Sequence, residues 1–213
     1  MEEYFECFLD DMGPVYFRAE VPPASLLNYK GKLPEQLLSQ WAEHGWSAYS
    51  DGIFWTVNPA EYEQVVQNWL MESGIAASEH YQTFARGALG DLYLWNSLNG
   101  HLMRLNIFYA RYHINSRLSS KLGVDGKIRS FFSTMSRESN DFDDMFEKAL
   151  KKLGPLKSDE MYGFVPAMAL GGPGKFEHLQ KVKIIEHIAF LSQLSPLTDW
   201  GFPDFETIMK LTE

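Results

Sequence analysis

The stretch Tyr81-Gln82-Thr83-Phe84-Ala85-Arg86-Gly87-Ala88-Leu89-Gly90-Asp91-Leu92-Tyr93-Leu94-Trp95-Asn96-Ser97-Leu98-Asn99-Gly100-His101-Leu102-Met103-Arg104-Leu105 decides the fold class. Its apolar and aromatic residues fall in short runs at 84–86, 91–95 and 101–105, too brief for helices and divided by turn residues. Asn99-Gly100 stands between the last two runs and supplies the positive φ angles of a tight hairpin turn. An antiparallel meander is predicted, with β character continuing to His113.

Upstream of this meander the period changes to that of helices. Tyr4, Phe5, Phe8, Leu9 and Met12 recur at helical spacing among acids, and Gly13-Pro14 stops the pattern. Cys7, beside Phe8, reads as a small core residue. Val21-Pro22-Pro23 reads as extended. Leu33-Pro34 opens a second helix that turns Leu37, Leu38 and Trp41 inward and ends at Gly45. Residues 52–57 read as a strand. Asn58 and Glu61 form a predicted capping box around Pro59, and the helix behind it carries Val65, Val66 and Trp69 to Gly74.

Downstream, the polar run 115–126 marks the expected division into domains 1–118 and 119–213, although Ile114, Leu118 and Leu122 equally fit a helix start. Phe142, Met145, Phe146, Leu150 and Leu153 form one apolar stripe, with Asp141, Asp143 and Asp144 at its start and Lys148, Lys151 and Lys152 at its end, the order that a helix macrodipole favours. Residues 162–170 read as an apolar strand or a buried segment, 171–174 as a tight connection and 176–194 as one or two helices. The expectation is an α+β fold: an N-terminal antiparallel meander sheet flanked by helices, followed by a smaller, mainly helical domain.

Composition sets the function classes. The 213 residues are 45% hydrophobic and 15% aromatic, enough for a real core, and a single cysteine excludes an internal disulfide framework. Residues 1–79 hold thirteen acids against Arg18, Lys30 and Lys32, whereas the remainder is nearly neutral. An acidic end repels nucleic acid and anionic membrane and attracts a basic protein over about 8–10 Å. Acidity for solubility alone is the plainer reading of the same numbers. With a start that lacks a signal peptide's basic and apolar regions, a cytoplasmic location is expected.

Catalytic patterns are sparse. None of the six histidines stands at i, i+4 from another, and neither H-E-x-x-H nor G-x-S-x-G occurs, so neither a metal centre nor a catalytic or cofactor-binding residue is assigned. Glu186-His187 are adjacent, and neighbours on a helix point apart, which favours a structural histidine over a hydrolase pair. The glycines near Lys175 lack the spacing of a phosphate loop. Arg104, Tyr109, Arg111, Tyr112 and Arg117 read as the outer face of a sheet rather than a nucleic-acid surface.

Four segments carry a resemblance: 33–38 (LPEQLL), 41–46 (WAEHGW), 51–59 (DGIFWTVNP) and 85–95 (ARGALGDLYLW). Together they resemble the GAD-like domain of bacterial immunity proteins. Behind them 146–150 (FEKAL), 153–156 (LGPL), 159–167 (DEMYGFVPA) and 170–172 (LGG) resemble the domain usually fused to it. The resemblance implies neutralisation of a toxin delivered by the type VI secretion system, frequently a DNase, hence a basic cognate partner. Two contact modes stay open. Glu35, Glu43, Asp51, Glu61 and Glu63 would cap a nuclease groove as a DNA mimic, or Glu160, Tyr162, Gly171 and Gly172 would belong to an element wedged into the toxin. Solvated helix faces and a simple turn account for the same residues without a partner. A cytosolic adaptor that neutralises nothing is the alternative function.

Overall fold

The computed structural model describes residues 3–115 and 122–201. The expected division at 118/119, with Leu118, Arg117 and the serines around it, lies outside the described residues. In chain order the elements are α1 (Glu3–Met12), β1 (Val15–Ala19), α2 (Pro23–Tyr29), α3 (Glu35–His44), β2 (Trp46–Tyr49), β3 (Phe54–Thr56) and α4 (Pro59–Glu72). The meander follows as β4 (Tyr81–Gly87), β5 (Asp91–Asn96), β6 (Leu102–Asn106) and β7 (Arg111–Asn115). Beyond it lie α5 (Gly123–Ser133), α6 (Arg137–Asn140), α7 (Phe146–Leu153), β8 (Glu160–Phe164), β9 (Leu179–Lys183), α8 (Ile184–Ser192) and β10 (Thr198–Asp199).

The predicted α+β class holds. Strands β1 to β7 run in sequence order and antiparallel, and β10 adds parallel to β7, closing an eight-stranded sheet; β8 and β9 form a separate hairpin. Gly100 takes φ +67° in the β5–β6 turn, while the Asn99 carboxamide accepts from His101 N at 3.0 Å. Only the glycine of that pair needs the left-handed region.

Cross-strand pairing assigns the two faces of the sheet. Phe54 and Tyr93 turn toward α1 and α5, where Phe8, Phe131 and Phe132 pack edge-on or tilted against them at 5.1–6.4 Å between ring centroids. Trp55 and its partner Arg86 turn toward α4 and Tyr62. One continuous apolar core runs through both halves of the chain, from Phe5 and Phe8 to Ile188 and Leu191. Burial of this much aromatic area supplies the stability that a chain without disulfides needs.

Several expectations are corrected. Cys7 is exposed: the buried stripe of α1 is Phe5, Phe8 and Met12, and position 7 lies off that face. Pro23 opens α2 rather than continuing the extended run, because proline at a first helical position loses no hydrogen bond. Asn58 caps α4 by accepting from Ala60 N at 3.2 Å, and among the described residues the Glu61 side chain makes no return bond to the Asn58 backbone N–H. Asp143 and Asp144 adopt φ +49° and +52°, so they form a turn before α7; Asp141 instead accepts from Phe146 N at 2.9 Å. Within 176–194 the first half is strand β9, held by pairing with β8.

Candidate functional site

Helix α3 buries Leu37, Leu38, Gln40 and Trp41, which leaves Glu35, Ser39 and Glu43 exposed at intervals of four residues on its outer side. Glu35 stands in the first turn, where unpaired backbone N–H groups favour an acid. Gln36 N donates to Asp125 Oδ1 of α5 at 3.1 Å, so the later half of the chain fixes this helix end. Glu43 lies 3.7 Å from His44 Nε2. Burial lowers the His44 pKa, an effect that the Glu43 charge partly offsets.

Helix α4 presents Glu61 and Glu63 to solvent. Partial burial raises the Glu61 carboxyl pKa against the Asn58 hydrogen bond and the charge of Arg86. Glu63 helps raise the Tyr29 hydroxyl, whose main cause is burial. Asp51 occupies a left-handed turn with Ser50, at φ +58° and +49°, and its carboxylate lies 3.6 Å from Arg137 Nη1. Arg137 also pairs with Glu147 and covers the Phe146 ring at 5.3 Å.

The five acids are therefore exposed but not gathered into one cluster. Glu35 and Glu43 share a helix side, Glu61 and Glu63 ride on a helix across the sheet from α1 and α5, and Asp51 is engaged by Arg137. The second group is placed differently. Tyr162 is wholly buried, its hydroxyl donating to Gly154 O at 2.7 Å, and burial pushes its pKa up to about 12. The ring itself presents no surface. Glu160 is largely shielded, accepting from Lys157 N at 3.0 Å and lying 3.9 Å from Lys183 Nζ. Gly171 has φ +84°, and a Cβ on Gly172 would sit 2.1 Å from Pro166 O. Both glycines answer needs of the turn.

Sequence reasoning missed Arg86, whose only signal is a charged residue inside an apolar strand. Its guanidinium is fully buried, 4.6 Å from the Trp55 ring centroid, and donates to Gly87 O at 3.3 Å and Ser158 O at 3.0 Å. Burial lowers its pKa, opposed by Tyr62, Glu61 and Asp159. A cleft of about 370 Å³ between β6, β7 and α5 is a second missed feature. On its floor Arg104 is held bidentately by Asp91, at 3.0 and 2.6 Å. Among the described residues no group of three or more His, Cys, Asp or Glu is placed to hold a metal, and no helix is long and apolar enough to cross a membrane. Glu186 is exposed beside the partly buried His187 on α8.

Comparison with known proteins adds the family. The model of the GAD-like domain matches residues 3–109, and that of the C-terminal part of T6SS immunity protein Tdi1 matches residues 125–195. No curated protein matches the chain. The crystal structure of Atu4351 from Agrobacterium tumefaciens superposes with a TM-score of 0.82 at 22% identity, covering 95% of each chain, which shows a shared fold. The chain belongs to the GAD-like domain family, with a type VI secretion immunity domain matched behind it.

Proposed function

We propose that this member of the GAD-like family binds and neutralises a cognate toxin of the type VI secretion system, a DNase, without catalysing a reaction itself. The observation that carries the reading is the order of the two family matches, the GAD-like domain at 3–109 and the Tdi1 C-terminal part at 125–195. The charge distribution supports a cationic partner. Glu35 and Glu63 are exposed and, among the described residues, take part in no ion pair, so their charge is available to steer a basic protein. A DNase must present bases to phosphates, and its inhibitor gains encounter rate from the opposite sign.

Of the two contact modes, capping by the acidic surface is the better supported. Tyr162 lies in the core, and Glu160 is tied to Lys157 and Lys183. The site of action is the cytoplasm, where an incoming nuclease meets DNA. The test is protection: cells that express the cognate effector should lose viability when this gene is deleted and regain it on complementation. Unchanged survival of the deletion strain under effector expression would remove the reading.

A further inference from the structure

Strand β1 stands at one end of the eight-stranded sheet, paired with β2 on one side only. Among the described residues no backbone hydrogen bond joins its other edge to any element. Val15, Tyr16 and Phe17 are 37%, 49% and 41% exposed, an unusual apolar run for an open edge. We propose that β1 is a docking strand, to which the cationic partner adds a strand of its own.

Charge selects the occupant. Asp10 and Asp11 lie just before β1 and Glu20 just after it, all exposed and, among the described residues, outside every ion pair. A second copy pairing edge to edge would set acid against acid at both ends, whatever the strand direction. A strand bearing Lys or Arg instead sets bases against these acids, and it satisfies the idle backbone groups while covering the apolar side chains.

A specificity slot adjoins the edge. Phe17, Trp46, Trp55, Asn58 and Glu61 line a space of about 90 Å³, sized for the end of one side chain. Phe17 leans on Trp55 at 5.7 Å, and among the described residues the sealed Trp46 Nε1 has no acceptor. Because alternate residues of an added strand point to the same face, one of them reaches this slot, and Glu61 at its rim favours a base.

The proposal rests on the toxin-binding reading, and one experiment separates the two. Amide hydrogen exchange is followed for the full chain alone and with a catalytically inactive form of its cognate effector. Residues 15–19 should exchange about tenfold or more slowly in the complex, because free edge amides become bonded. Phe17→Lys should weaken binding about tenfold, with a circular dichroism spectrum matching the wild type. A stoichiometric complex with unchanged exchange at 15–19 overturns the docking strand and leaves the toxin-binding reading standing. Failure to form any complex overturns both.

Discussion

The indole Nε1 of Trp69, on α4, donates a 2.8 Å hydrogen bond to the carbonyl of Ser195, 126 residues further along the chain. One turn later Ser73 Oγ accepts from Leu197 N at 2.8 Å. The segment behind α8 is thereby stitched to the front of the molecule, over a core that both halves share. Trp69→Phe keeps most of the ring and removes the donor, so it should cost about 1–2 kcal/mol. Calorimetry should also show one cooperative transition for the whole chain. Two separate transitions would contradict a shared core.

Arg86 makes a second prediction. Its planar group stacks on Trp55 while donating to two carbonyls from different nitrogens, a geometry that a point ammonium does not reproduce. Arg86→Lys should therefore destabilise by about 2 kcal/mol in urea unfolding. A change near zero would show that the buried charge is not held by these contacts.

Acidification should weaken the fold. Burial lowers the His187 pKa below 6.5, and burial also lowers His44 and His101, with Lys127 adding to the effect at His101. As pH falls through about 6.5 the unfolded chain takes up these protons first, so stability is full above that value and declines below it. The urea midpoint at about pH 5.5 should lie under that at about pH 7.5, and His187→Gln should narrow the gap. A midpoint that rises on acidification would contradict the assignment.

Much of this was legible in the sequence. The β4–β6 meander announced itself through short apolar runs and Asn99-Gly100, and α4 through Asn58-Pro59. Strands β1 and β2 were not, because Tyr16 and Phe17 look apolar yet lie on an open edge, while Ser47 looks polar yet is buried with its amide bonded to Thr56 Oγ1 at 2.8 Å. Strand β9 alternates Lys181 and Lys183 with Val182, and only its pairing with β8 separates it from a helix. The acids of the candidate surface were readable as exposed helix positions. The burial of Tyr162 was open in one reading of 162–170, but its partners were not, since Phe146 and the Gly154 carbonyl reach it from α7 and its end.

Electrostatic steering gives the fourth prediction. Reversing Glu35, Glu43 and Glu61 to Lys together should slow association with the effector about tenfold at about 50 mM salt, and the difference should shrink toward 500 mM as screening grows. Stopped-flow mixing measures this directly. An on-rate indifferent to both salt and reversal would count against the acidic surface.

The central claim is that this chain silences a nuclease by binding it. Its most direct measurement is DNA cleavage by the purified effector titrated with the purified chain. Cleavage should fall to background at about one equivalent, and at about 50 mM salt the triple reversal variant at the same concentration should take about tenfold longer to reach that inhibition. Undiminished cleavage in the presence of excess wild-type chain would contradict the account.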